Sequence, residues 1–175
     1  NTDLLGWVLE RAGAKSFADL VSELLWMPMG AEANANITLD KQSAARCTGG
    51  VSTTLRDFAR LGQLMLQGGR HAGRDIIPAT LIRDIENNGD EEAWRTGDFA
   101  PAFPYRSMHY RNGWYVINDA PQTLFAMGVY GQNLFVDRTN GIVVAKFSSQ
   151  AEFFDIHAAT LTHRAVAEIR HCLID

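Results

Sequence analysis

A serine nucleophile needs a base within reach of its hydroxyl, and a lysine one helical turn further on is one way to supply it. Only three lysines occur in the 175 residues, Lys15, Lys41 and Lys146, and three positions before them stand Ala12, Thr38 and Val143. No serine therefore sits one helical turn before a lysine, and no Gly-x-Ser-x-Gly elbow occurs. The five histidines, His71, His109, His157, His163 and His171, show no His-Glu-x-x-His or i,i+4 pairing, so no metal site is expected. His163 and His171 read as ordinary polar residues of a final helix. Neither Gly-x-Gly-x-x-Gly nor a Walker A pattern is present, so no phosphate-binding loop and no cofactor is expected. Cys47 and Cys172 lie far apart and read as two free thiols, which favours a reducing, cytoplasmic compartment.

The elements that would carry any site follow from periodicity and punctuation. Asn1 or Thr2 caps a helix whose apolar face is Leu4, Leu5, Val8 and Leu9, stopped by Gly13. A chain opening at a helix cap with no leader reads as cut. Ser16-Phe17-Ala18-Asp19 forms a capping box for a second helix, with Phe17, Leu20, Val21, Leu24 and Leu25 inward and Pro28 and Gly30 at its end. Residues 33–48 carry little periodicity and are expected to cross the surface. Ser52-Thr53-Thr54 caps a helix that carries Leu55, Phe58, Ala59, Leu61, Leu64, Met65 and Leu66, and Asp57 suits its first turn. Pro78 opens a further helix with Leu81, Ile82 and Ile85 apolar. Residues 87–106 read as a long polar loop.

From Tyr110 the pattern becomes that of strands: Tyr110–Ile117, Thr123–Tyr130, Asn133–Val136 and Ile142–Phe147, the last two joined through Asn140-Gly141, a strong hairpin signal. A last helix covers about residues 155–172. The layout predicts an α+β fold, one domain over 1–175, mostly helical over 1–108, with antiparallel strands and a C-terminal helix over 109–175.

Composition removes whole classes of function. Hydrophobic residues make up 46% and charged residues 21%, which suits a packed globular chain. Sixteen basic against twenty acidic residues give a net charge of −4, which argues against a nucleic-acid partner. No apolar run approaches the roughly 20 residues needed to span a bilayer, so no membrane partner is expected.

Gly128-Val129-Tyr130-Gly131-Gln132-Asn133-Leu134-Phe135-Val136-Asp137, followed by Asn140-Gly141-Ile142-Val143-Val144-Ala145-Lys146-Phe147-Ser148-Ser149, resembles the last strands of the penicillin-recognising, serine β-lactamase-like hydrolases. Within that family the resemblance is closest to the 6-aminohexanoate-dimer (nylon oligomer) hydrolases and their esterase and class C β-lactamase relatives. Thr2–Glu10 looks like the helix after the family's Tyr-x-Ser/Asn motif, Pro28-Met29-Gly30 like its Pro-Leu-Gly turn, and Gly49–Arg60 like its Gly-Gly helix. Tyr110–Tyr115 matches the start of its strand block. The segments occur in family order over nearly the whole chain.

The resemblance implies the C-terminal portion of a serine β-lactamase-like (DD-peptidase) fold, an antiparallel sheet flanked by helices. It implies a serine hydrolase that cleaves short amides or esters through an acyl-enzyme. The Ser-x-x-Lys and Tyr-x-Ser/Asn motifs would lie upstream of Asn1, in an N-terminal part that is the missing partner, so the 175 residues alone would be inactive. Tyr110-Arg111-Asn112 sits in the strand block and is not a substitute for the tyrosine motif. Where relatives carry Lys-Thr-Gly or His-Gly-Gln, this chain reads Tyr130-Gly131-Gln132. The Val129 main-chain N–H would complete the oxyanion hole, and Gly128 and Gly131 would let a substrate approach the backbone. Gly128, Tyr130, Gly131 and Gln132, with Thr48 and Tyr115, are the implied substrate-binding residues. Tyr130 lacks the fixed positive charge that meets a β-lactam carboxylate, which favours an uncharged small-molecule amide or ester. Trp114 reads better as core than as cleft wall, and Tyr130 also reads as a plain strand aromatic. The alternative function is a non-catalytic relative that keeps the cleft wall as a binding or structural protein. Without a neighbouring strand, Ile142–Phe147 would stand as an exposed apolar edge and promote self-association.

Overall fold

Asn112 and Gly113 take up the left-handed backbone (φ 51° and 87°) and fold the chain back on itself. The run expected as one strand over Tyr110–Ile117 is therefore a hairpin, β5 (Met108–Arg111) and β6 (Trp114–Ile117), in a computed structural model that describes residues 2–103, 105 and 107–174. Asn-Gly between strand-forming runs turns the chain here as it does at Asn140-Gly141. β7 (Thr123–Met127), β8 (Asn133–Asp137) and β9 (Ile142–Lys146) complete a five-stranded antiparallel sheet in the order β5-β6-β7-β8-β9. At the β8–β9 turn the Asp137 carboxylate accepts bonds from the Asn140 backbone and side-chain amides, and Arg170 donates to it from the last helix.

Alternation divides the strand residues between two faces. On one, Val116, Leu124 and Val136 pack with Met65 of α3 (Leu55–Leu66) and with Ile82 and Ile85 of α4 (Ala79–Asn87). On the other, Phe125, Phe135, Met108 and Ile117 pack with Phe103 and with Val166 of α6 (Ile156–Ile174). Each of these fully buried side chains contributes about 1.5–3 kcal/mol.

The remaining helices are α1 (Thr2–Gly13), α2 (Phe17–Val21), which runs on as a π turn over Ser22–Trp26, and α5 (Glu91–Arg95). Ser16 caps α2 by accepting the Asp19 N–H, as its capping box predicts. The α1 expectation is corrected: only Gly6 is buried, facing Cys47, whereas Leu4, Leu5, Val8 and Leu9 are each more than half exposed. Small Gly6 makes the close contact, so the leucine stripe turns away from this part of the chain. The Asn1 cap lies outside the described residues. In α2 and its extension Leu24 is exposed, contrary to its expected inward position, and Leu81 of α4 is likewise exposed.

Residues 87–106 are not an open loop. Asp90 caps α5 by accepting the Ala93 N–H, Ala100–Ala102 form a 3₁₀ turn, and Trp94 and Phe103 carry their rings onto Tyr115. A five-residue helix is too short to show periodicity. Residues 33–48 also contain order: β1 (Asn36–Ile37) pairs with β2 (Val51–Ser52). A second ribbon, β3 (Arg70–His71) and β4 (Arg74–Asp75), turns on Ala72 and Gly73.

Asp57 does more than suit a helix start. Wholly buried, its carboxylate accepts the Glu32 and Ala33 N–H groups, the Thr54 hydroxyl and the Arg60 guanidinium, so it fastens the segment before β1 to α3. The Glu32 N–H, aided by Thr54 and Arg60, holds its pKa below the ordinary carboxylate value despite the opposing cost of burial.

Candidate active site

The strand expected to run to Tyr130 stops at Met127. Gly128 is extended (φ −111°, ψ 165°), and Val129–Gly131 form a single 3₁₀ turn in which Tyr130 and Gly131 lie in the left-handed region at φ 58° and 88°. The turn closes where the Gly128 N–H donates to Gln132 O, and β8 begins at the next residue. Residues expected on one extended strand are thus presented on a knuckle between β7 and β8. A Cβ built on Gly131 would stand 2.5 Å from the flexible end of the Gln150 side chain, which can move aside, so it is the backbone angle that calls for glycine there.

Segment 148–153, which follows β9, holds this knuckle. The Gln132 side chain donates to Ser148 O at 2.7 Å and accepts the Ser148 N–H at 3.0 Å. The Tyr130 N–H donates to Phe153 O, and the Gln150 N–H to Tyr130 O. The Lys146 ammonium donates to Gly131 O at 2.8 Å, and the Asn133 amide donates to the same oxygen at 3.2 Å. Among the described residues, none of these bonds draws on the Val129 N–H. Val129 heads the turn, where a helix leaves its first N–H groups without internal acceptors. Val129 and Tyr130 are exposed, and the Tyr130 ring meets the exposed Phe153 ring edge-on at 6.4 Å. A backbone N–H with no partner among the described residues, on an exposed turn held by its neighbours, is a donor that can meet a developing negative charge.

The other two implied residues are placed elsewhere. Tyr115 stacks on Phe125 at 5.0 Å and meets Tyr110 and Trp94, on the face that packs with Phe103 and α6, and burial pushes its phenol up. Thr48 is exposed and its N–H donates to Asp3 at the start of α1. Gly128, Val129, Tyr130, Gly131 and Gln132 are brought together; among the described residues no hydrogen bond or ring contact joins Tyr115 to them. A groove of about 610 Å³ between α2 and β1, lined by Phe17, Val21, Trp26 and Leu39, includes none of the knuckle residues. Among the described residues no three His, Cys, Asp or Glu side chains converge on a metal position.

Sequence reasoning missed Lys146 and Phe153. The pairing of Lys146 with Asn133 across β8 and β9 could have suggested a lysine beside the glycine-rich turn, but Phe153 carries no periodic signal. It also misjudged His163. That ring is buried among Phe103, Phe125 and Phe135, with Nδ1 2.7 Å from the Tyr105 hydroxyl.

The sequence profile of the family described as Beta-lactamase matches residues 1–167. The chain belongs to the Beta-lactamase family. Within it, the chain is 34% identical over 149 residues to the 6-aminohexanoate-dimer hydrolase of Paenarthrobacter ureafaciens, an alignment covering 85% of this chain and 38% of that protein. A Bacillus anthracis structure named for 6-aminohexanoate-dimer hydrolase superposes with a TM-score of 0.84 at 30% identity, over 98% of this chain and 42% of its own. A structure named for β-lactamase from Bacteroides dorei DSM 17855 superposes at 0.63 with 19% identity, over 95% and 55%, and shares the fold. The chain spans about two fifths of the length of these two 6-aminohexanoate-dimer hydrolase relatives. The antiparallel sheet with α3 and α4 on one face and α6 on the other is the β-lactamase-like fold, and the family is one of hydrolases. No helix among the described residues is long and apolar enough to cross a membrane.

Proposed function

We propose that the Gly128–Gln132 knuckle is one wall of a serine hydrolase site that cleaves short, uncharged amides or esters, with linear amides of the 6-aminohexanoate type as the first substrate class to test. The carrying observation is the exposed Val129 at the head of a turn in which the Tyr130 N–H, Tyr130 O and Gly131 O are engaged by Phe153, Gln150 and Lys146, while no bond of the Val129 N–H is found among the described residues. A serine hydroxyl, its proton taken by a nearby base, adds to the substrate carbonyl. The oxygen then becomes an anion, which the Val129 N–H stabilises; the amine or alcohol leaves with a proton, and water hydrolyses the acyl-enzyme. The nucleophile, its lysine and its tyrosine are supplied by chain outside these 175 residues, a reading supported by the fraction of each relative that the chain covers. Tyr130, rather than a cation, faces the substrate beside Gly128 and Gly131. Thr48 and Tyr115 are engaged elsewhere, so the proposed wall does not include them.

The test is reaction of the intact protein with a fluorophosphonate probe and with a p-nitrophenyl ester. Turnover is expected, together with labelling of one serine that lies outside these 175 residues. Labelling of a serine within them would overturn the proposed division of labour. No labelling and no turnover would favour the non-catalytic relative.

A further inference from the structure

Lys146 is a half-buried cation for which no ion pair with a carboxylate is described among the described residues. Desolvating an ammonium without a counter-charge is costly, so its one described bond, to Gly131 O at 2.8 Å, needs a reason. That carbonyl belongs to the second of two successive left-handed residues. Tyr130 is not glycine, and a side-chain-bearing residue keeps such an angle only where its surroundings over-determine it. Lys146, Ser148, Gln150 and Phe153, at and after the end of β9, supply the contacts, and Asn133 adds a second donor to Gly131 O. Lys146 is the charged member of this set, and a charge-assisted bond is the stronger kind. Its own backbone is fixed by the β8–β9 register opposite Asn133.

We infer that Lys146 is a positioning residue: by gripping Gly131 O it locks the Tyr130–Gly131 knuckle and so aims the Val129 N–H at the reacting carbonyl. The inference rests on the hydrolase reading for its consequence in turnover, but not for its grip on the turn. A donor that serves the transition state must be held before the charge forms, and small misplacement of such a group costs rate rather than ground-state binding. The ammonium also leaves a positive charge beside the turn that an oxyanion would approach.

The test compares Lys146→Met, which keeps reach and loses the donors, with Lys146→Arg, which keeps a cationic donor, in the intact protein. With a neutral ester, Lys146→Met should lower kcat by about 10- to 100-fold with KM within about threefold, and Lys146→Arg should recover most of the loss. Hydrogen exchange read on residues 127–133 should speed up about tenfold or more in Lys146→Met, while β6 keeps its wild-type rate. Unchanged exchange in 127–133 would overturn the inference, as would faster exchange in every strand together with loss of activity in proportion to unfolding. An unchanged kcat would overturn it equally. If the wild-type protein turns over no ester or amide, the hydrolase reading fails, and the exchange comparison still decides whether Lys146 holds the knuckle.

Discussion

The Tyr105 hydroxyl and His163 Nδ1 lie 2.7 Å apart inside an aromatic cage, and the other ring nitrogen of His163 is buried without a hydrogen-bond partner among the described residues. Burial lowers the His163 pKa from 6.5 to about 4. Between those values the unfolded chain binds a proton that the folded chain refuses, so stability rises with pH across that window and levels off above it. A full shift of this size corresponds to about 3 kcal/mol. Denaturant unfolding followed from pH 4 to 7 should show that loss on acidification, and His163→Phe should flatten the slope between about pH 4 and 6.5. A variant slope equal to that of wild type would contradict the assignment.

Asp57 carries a second stability prediction. Asp57→Ala would leave the Glu32 and Ala33 N–H groups and the Arg60 guanidinium without their buried acceptor, at a cost of about 3 kcal/mol. Because its folded pKa is lowered, the contribution of the carboxylate is present above the ordinary carboxylate range and disappears as pH falls through the lowered value. Thermal melts of the variant at neutral pH check the magnitude, and a melting temperature within a degree of wild type would contradict it.

Much of this architecture could be read from the chain. The capping box at Ser16, the Thr54 helix and the hairpin at Asn140-Gly141 all rest on local chemistry that tertiary context did not override. The misses share a cause. The short α5 and the two-residue ribbons lack the length to show a period. The Met127 end of β7 depends on Tyr130 adopting φ 58°, an angle that no propensity favours for tyrosine and that only the contacts from Lys146 to Phe153 explain. The burial of His163 is a property of the sheet face, visible only once Phe103, Phe125 and Phe135 converge on it. Of the candidate site, the glycine-rich segment could be read as a unit because its residues are contiguous, whereas the place of Tyr115 in the aromatic stack follows from strand alternation and the rings that converge on it.

Exposed apolar surface supplies another prediction. Leu161 and Leu173 on α6 are each 66% exposed, Leu5 on α1 is 62% exposed, and β9 is an edge strand whose following residue Phe147 is stacked on Phe58 yet remains exposed. Made as an isolated 175-residue polypeptide, the chain should self-associate at micromolar concentration, and Leu161→Lys with Leu173→Lys should reduce the association. Light scattering after size exclusion reads the outcome; a monodisperse monomer for the unsubstituted chain would contradict it.

The central claim concerns one N–H group, and Val129→Pro in the intact protein tests it most directly. Proline suits the first position of a helical turn, and the extended Gly128 before it is a conformation that a following proline tolerates, so the substitution removes the donor while leaving the knuckle intact. With a neutral ester, kcat should fall by about 10²–10³ while KM stays within about threefold. A kcat within twofold of wild type, in a protein that melts at the wild-type temperature, would contradict the assignment of Val129 as the oxyanion donor.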